Sequence, residues 1–298
     1  MVARYLNRAI RVSRVAVSAL EASMTNTNCQ STERNFCCAG SGTEEKNAAL
    51  FVDVDGTILK CQPYFDEAME SFAYFMKLRG FDAEDAKSRL RQIDHAKTEL
   101  EGFERDRYGR SIIETYRAMV KDRKRRFTAE QMVQDERILR QIGTGPFFRD
   151  PELFANVAAV LGRAHHNFLI FAVSIGNREA QKYKVRQAGL DTVFDELIIT
   201  ARDDKAEIVN SIIRDWNIDP ELSAFIGNSR RSDGACLAVT NFVFLPLEAG
   251  WAFDNSRPLP DSQFECFEVK DWREAEEKAI NRLIRRRKAR KGTAKLPR

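Results

Sequence analysis

The chain has no apolar run near the roughly 20 residues a bilayer-spanning helix needs, so no transmembrane segment is expected. Its six cysteines, Cys29, Cys37, Cys38, Cys61, Cys236 and Cys266, show no metal-type CxxC spacing. That removes the common zinc-site reading and leaves reduced thiols in a cytosol-like compartment. Histidine is scarce. His95, His165 and His166 form no ligand set, and the last two, just before an apolar run, are expected to cap or cover the preceding helix. Acidic residues are missing from both ends of the chain. Met1 to Leu20 contain four arginines and no acid, and Arg282 to Arg298 contain nine Lys/Arg and no acid. The net charge of +4 therefore hides an acidic body between basic ends. The run Arg285 to Lys291 reads as a solvated tail, with weak nucleic-acid or anionic-membrane contact as its alternative use.

A length of 298 residues with 43% hydrophobic content is enough for one large core and a satellite domain. The first 47 residues do not read as part of that core. On a helix, Val2, Leu6, Ile10, Val17 and Leu20 share one face while Arg4, Arg8 and Arg11 share the other. This suits an organellar transit peptide or an interfacial helix, and a true start at Met24 is an equal reading. Thr25 to Lys46 is polar and expected to be disordered. The expected compartment is cytoplasmic, or organellar if the Arg-rich end is a transit peptide.

The most informative segment is Asp53-Val54-Asp55-Gly56-Thr57, directly after the apolar run Ala48 to Val52. Carboxylates two residues apart at a strand end project toward the same side. The following Gly and Thr can turn the backbone and offer N–H groups and a hydroxyl to an anion. Like charges at such a site repel unless a cation lies between them. A metal-assisted nucleophile beside a proton donor is the simplest chemistry for the pair.

Three further segments follow in order. Phe168 to Val173 is apolar and runs into Ser174-Ile175-Gly176-Asn177. Lys205 stands in Asp203-Asp204-Lys205, one helix-length before Phe225-Ile226-Gly227-Asn228-Ser229-Arg230-Arg231-Ser232-Asp233. Together these four segments resemble the motifs of the haloacid dehalogenase (HAD) superfamily, a group dominated by Mg²⁺-dependent phosphatases, over roughly residues 48–250. The resemblance implies Asp53 as nucleophile and Asp55 as general acid/base. It implies Gly56, Thr57, Ser174, Ile175, Gly176 and Lys205 around the phosphate, and Asp53, Asp55 (through its main-chain carbonyl), Asn228 and Asp233 around Mg²⁺. Lys182 and Lys184 compete for the lysine role but read as a solvated helix face. Asn228 departs from the superfamily's usual Asp, which removes a negative charge and should weaken Mg²⁺ binding. In the dehalogenating branch the second Asp is replaced, because a halide leaves without a proton. Asp55 therefore points to an oxygen leaving group and to hydrolysis of a small phosphorylated metabolite such as a sugar phosphate, nucleotide or phosphoglycolate-like acid. The alternative is a catalytically weak protein that binds a phosphorylated ligand or polyanion.

The pattern of elements predicts an α/β fold: a doubly wound parallel sheet, Rossmann-like as in HAD cores, with an inserted all-helical cap domain of the C1 type. The core is expected over 48–62 and 143–270, the cap over 63–142, and a basic C-terminal helix or tail over 271–298. From Pro63 to Gln141 only Gly80, Gly102 and Gly109 interrupt helix-forming sequence, and Phe65, Ala68, Met69, Phe72, Phe75 and Met76 recur at helical spacing. Gly143 to Pro146 reads as the return hinge. Gly102 to Arg110, which mixes aromatics and arginines, is a candidate contact for the leaving group. Helices are expected at 151–163, 178–188 and 205–216, with a short one after Asp233. Strands are expected at 168–173, 196–200, 224–226 and 241–245. In such sheets ligands bind beyond the carboxyl ends of the strands, where Asp53, Ser174 and Asn228 fall.

Overall fold

The computed structural model describes residues 46–102, 106–122, 127–248, 255 and 257–294. The N-terminal residues 1–45, on which the transit-peptide and Met24 readings fall, lie outside the described residues, as do 103–105, 123–126, 249–254, 256 and 295–298. Six parallel strands form one sheet in the order β3-β2-β1-β4-β5-β6. They are β1 (Ala49–Val52), β2 (Leu169–Ile175), β3 (Glu196–Thr200), β4 (Ala224–Gly227), β5 (Asn241–Phe244) and β6 (Cys266–Glu268).

β1 is central, and all four of its residues are buried. A strand covered on both faces must be apolar on both, so a continuous run takes the place of alternation. Period-2 geometry sends Leu50 and Val52 into one core and Ala49 and Phe51 into the other. The first core also takes in Val160, Leu161 and Trp272, and the second takes in Val209, Phe225 and Phe242. β1 pairs with β2 on one side and β4 on the other. The chain thus leaves β1 at the switch point of the sheet, where a crevice opens.

After β1 the chain first forms a layer of four helices: α1 (Gln62–Leu78), α2 (Ala83–Glu101), α3 (Arg107–Asp122) and α4 (Ala129–Thr144). They enclose a core of their own, in which Phe72, Met76, Leu90, Ile112, Tyr116 and Leu139 are fully buried. A polar tie crosses it. Asp135, fully buried, accepts hydrogen bonds from Tyr116 Oη at 2.8 Å and Arg79 Nε at 2.8 Å. Removing either donor would leave a buried carboxylate short of partners, which costs more than the bond itself contributes.

The longer helices of the remainder are α5 (Val157–Ala164), α6 (Arg178–Gln187), α7 (Lys205–Asp215) and α8 (Asn281–Ala294), the last entered through a short helical stretch from Trp272 to Ile280. Among the described residues no helix is long and apolar enough to cross a membrane. Several expectations need correction. The helix expected from 151 begins only at Val157, because the stretch before it pairs with the exit of β1: Lys60 N donates to Glu152 O at 2.8 Å and Leu59 bridges Leu153. Gly143, read as part of a return hinge, lies inside α4 with Gly109 against it, so a Cβ there would strike the Gly109 backbone. The short helix expected after Asp233 is present, as a 3₁₀ helix over Gly234–Ala238. β6, absent from the strands expected above, has only three residues, too few to show a hydrophobic period.

The basic C-terminal run also differs from a solvated tail. Arg282 and Arg286 pair with Glu265, Arg290 pairs with Asp219 and Glu221, and Arg287 donates to Asn167 O. Just before this helix, buried Trp272 donates its indole N–H to Thr57 O at 2.9 Å. The C-terminal segment therefore braces the turn that follows β1. His165 ends α5 and sits 3.4 Å from Asp195, in keeping with a helix-end role.

Candidate active site

The first Asp of the β1 motif ends the central strand with its main-chain N–H on Ile226 O at 3.0 Å. Its carboxylate is buried, and Lys205, the first residue of α7, reaches it: Nζ lies 2.5 Å from Asp53 Oδ1 and 2.6 Å from Asp233 Oδ1. Burial pushes the Asp53 carboxyl up to about 7; Lys205 pulls it down, and the charges of Asp233 and Asp55 add to the rise. Burial works against the Lys205 ammonium, but Asp233 and Asp53 outweigh it and hold its pKa above the usual lysine value. One ammonium between two carboxylates leaves Asp53 under-compensated.

The second Asp meets a different helix. Lys184 Nζ lies 2.8 and 3.0 Å from the two Asp55 oxygens, and Gln181 Nε2 donates to Oδ2 at 2.6 Å. Gln181 and Lys184 are three residues apart on α6, so one helix face presents both. Burial raises the Asp55 pKa, but the Lys184 charge and the hydrogen bonds from Lys184 and Gln181 outweigh it and hold the carboxyl below its ordinary range. Lys184 is thus bound to the site, contrary to its reading as part of a solvated face. The signal for it was faint: Asn177, Gln181 and Lys184 follow a helical i, i+4, i+7 spacing from the helix cap.

The backbone explains why glycines stand where they do. Gly56 has φ of 78°, and a Cβ there would strike the Asn228 amide; at Gly227 a Cβ would strike the Asp233 carboxylate. Asp233 is pinned, with Oδ2 accepting from Ser229 N at 2.9 Å and Oδ1 facing Lys205. Ser174 is buried near the end of β2 and faces the same cavity as Asp53.

The expected phosphate cradle is narrower in the structure. Gly56 N–H is taken by Leu59 O and Gly176 N–H by Thr200 O, both at 2.8 Å, so neither is available to a ligand. Thr57 is fully buried, its hydroxyl 3.2 Å from Asp53 Oδ2 and 3.1 Å from Asn228 Oδ1. Ser174, Ile175, Gly176, Lys205, Asn228 and Asp233 line one cavity of about 200 Å³ with Asp53 and Asp55. Asn177, Ser229, Ser232 and Glu248 line it too, none of them anticipated as a ligand contact. Over it stand Tyr64, Phe65, Arg107, Pro146 and Phe147 from the four-helix layer and the turn that follows it. Of the candidate Gly102–Arg110 segment, Arg107 reaches the cavity; Phe103 to Arg105 lie outside the described residues.

The donor set suits a hard cation. Asp53 Oδ2 and Asn228 Oδ1 converge on the same Thr57 hydroxyl, and oxygen donors of this kind suit Mg²⁺. Two lysines face three carboxylates here, a charge deficit that a divalent ion would correct. Among the described residues no group of three His, Cys, Asp or Glu side chains could hold a metal ion. Asn228 and a main-chain carbonyl would have to complete the set, since both Asp233 oxygens already have partners.

A buried aspartate at the end of the central strand, a lysine against it and a switch-point cavity are the arrangement that the HAD resemblance implies. The family model for haloacid dehalogenase-like hydrolases matches residues 48–238, and the chain belongs to that family. Solved structures share its fold, among them the following two. A haloacid dehalogenase-like family hydrolase from Xanthomonas campestris has a TM-score of 0.62 at 20% identity, over 83% of this chain and 97% of its own. YfnB from Bacillus subtilis, described as a HAD-hydrolase and bound to magnesium, has a TM-score of 0.52 at 17% identity, over 78% of this chain and 98% of its own. A search of curated proteins finds no match.

Proposed function

We propose that this hydrolase cleaves a small phosphomonoester with the help of Mg²⁺, through an aspartyl-phosphate on Asp53. The observation that carries the reading is the pair Asp53 and Asp55 in one cavity, each against its own lysine. Asp53 attacks phosphorus, and the bond from phosphorus to the leaving oxygen breaks. Asp55, ionised while Lys184 holds it, acts as the acid once it has taken up a proton, which it passes to the leaving alkoxide. Water then attacks the phosphoryl group on Asp53 and gives its proton to Asp55, which restores both residues. Lys205 and Ser174 face the phosphoryl oxygens as charge moves onto them. Mg²⁺, held by Asp53, the Asp55 main-chain carbonyl and Asn228, would offset phosphoryl charge. YfnB, a magnesium-bound relative in fold, supports that choice of ion. A halide needs no proton on departure, so Asp55 favours an oxygen leaving group.

The test is phosphate release from a panel of small phosphomonoesters with and without Mg²⁺. Release should require Mg²⁺, disappear in Asp53→Asn, and fall about 10²- to 10⁴-fold in Asp55→Asn. If folded wild-type protein releases no more phosphate than Asp53→Asn from any panel member, the reading fails and a phosphoester-binding role replaces it.

A further inference from the structure

The cavity lining carries an unusual distribution of charge. Five cations line the cavity: Lys60, Arg107, Arg149, Lys184 and Lys205. Each is already paired. Lys60 faces Glu152, Arg107 faces Asp94, Arg149 faces Glu67, Lys184 holds Asp55, and Lys205 bridges Asp53 and Asp233. Recruiting one of them to a second anion would strip an existing carboxylate of its partner. The Arg107–Asp94 pair is the extreme case, since both side chains are almost wholly buried and a carboxylate left there uncompensated is costly.

Glu248 adds a further negative charge to this wall. It comes from the segment after β5, yet its oxygens accept from the Cys61 and Gln62 main-chain N–H groups at 3.1 and 3.0 Å. The Cys61 thiol points to it as well, at 3.5 Å. These groups cap α1, whose own N-cap residue supplies no side-chain bond. Glu248 is therefore anchored by dipoles, and among the described residues no lysine or arginine forms an ion pair with it. Its field also reaches the half-buried Cys61 thiol, whose pKa is raised by desolvation first and by Asp55 and Glu248 next. Tyr64, Phe65 and Phe147 supply ring surface to the same cavity.

We infer that Glu248 is a specificity residue that restricts the site to phosphomonoesters whose leaving group carries no second anion and bears hydroxyl or ammonium groups. The inference rests on the phosphatase reading above. A leaving-group hydroxyl or ammonium can donate to Glu248, and an ammonium also gains from the aromatic faces. A carboxylate or second phosphate at the same place meets like charge in a small, partly desolvated cavity and finds no uncommitted cation. Selectivity of this kind works by repulsion of the wrong substrate as much as by attraction of the right one.

The decisive comparison uses three phosphomonoesters of matched size: 2-hydroxyethyl phosphate, 2-aminoethyl phosphate and phosphoglycolate. With the full chain and Mg²⁺, kcat/KM for the first two should exceed that for phosphoglycolate by at least about tenfold, the equivalent of about 1.4 kcal/mol. Glu248→Gln keeps an oxygen acceptor for the α1 N–H groups, and it should narrow the gap to about twofold by raising the phosphoglycolate rate. Phosphoglycolate turned over as well as the other two by wild type would overturn the inference while leaving the phosphatase reading intact. So would an unchanged gap in folded Glu248→Gln. Turnover of none of the three, with phosphate released from other monoesters, would also overturn it. No release from any monoester would overturn the phosphatase reading first.

Discussion

Lys184 holds Asp55 by both carboxylate oxygens, at 2.8 and 3.0 Å, although 129 residues separate the two in the chain. The contact fixes the carboxylate at the cavity wall and supplies its counter-charge. Replacing the lysine with methionine keeps the stem and removes both effects. Lys184→Met should lower kcat about tenfold or more with little change in KM, and Lys184→Arg should recover part of the loss. Steady-state kinetics on any hydrolysed monoester would check this; a KM change alone would put Lys184 in binding instead.

Gly227 and Asp233 make the tightest backbone constraint in the site. A methyl group at Gly227 would strike the Asp233 carboxylate, which Lys205 and Ser229 N hold in place. Gly227→Ala should therefore cost activity about 100-fold or more by displacing the Lys205 partner, more than the loss in stability would explain. Activity measured beside circular dichroism separates the two effects.

Asn228 lies where an aspartate would add negative charge beside Asp53 and Asp55. Asn228→Asp should lower the Mg²⁺ concentration needed for half-maximal activity, because charge count tunes hard-cation affinity. The measurement is a Mg²⁺ titration of phosphate release. A higher Mg²⁺ requirement in the variant would remove Asn228 from the ion's surroundings.

Trp272 ties the C-terminal segment to the turn after β1 through Thr57 O. The side chain is fully buried, so Trp272→Ala should destabilise the protein by about 3–5 kcal/mol. Trp272→Phe keeps most of the packing, loses the hydrogen bond and should cost less. Urea denaturation of the three proteins gives the order directly.

Arg163 makes two 2.7 Å bonds to Glu276 and joins α5 to the segment before α8. The hydrogen bonds from Arg163 hold the Glu276 carboxyl below its ordinary value of 4.5 despite partial burial. A depressed carboxylate contributes stability above its unfolded value and loses it as pH falls through the folded one. Glu276→Gln should thus melt slightly below wild type at pH 7, and the gap should close as the pH drops below 4.5. Thermal melts of both proteins across that range would show it; a constant gap would mean that packing, and not charge, is lost.

Much of this was legible in the chain itself. The run Ala48 to Val52 is apolar at every position, which only a strand covered on both faces tolerates, and its two acids had to emerge at a strand end. β3 and the start of α7 fall at the residues where the hydrophobic pattern puts them. Other features were hidden by competition. Pro151 favours a helix start, yet pairing of 152–153 with 59–60 keeps that stretch extended. The arginines of α8 look like a solvated tail until Glu265, Asp219 and Glu221 are seen beneath them.

What the sequence determined alone are properties read over a few residues at a time: the parallel α/β core, the helical segment between β1 and β2, and a pair of acids at the end of the central strand. Hydrophobic period and turn chemistry are local, so they survive without coordinates. Only the tertiary structure decided which lysine faces which aspartate, which backbone N–H groups remain for a ligand, and that Glu248 closes the cavity wall against Cys61, 187 positions away. Those are long-range electrostatic matches, and they exist only once the sheet has brought the strand ends into a single crevice.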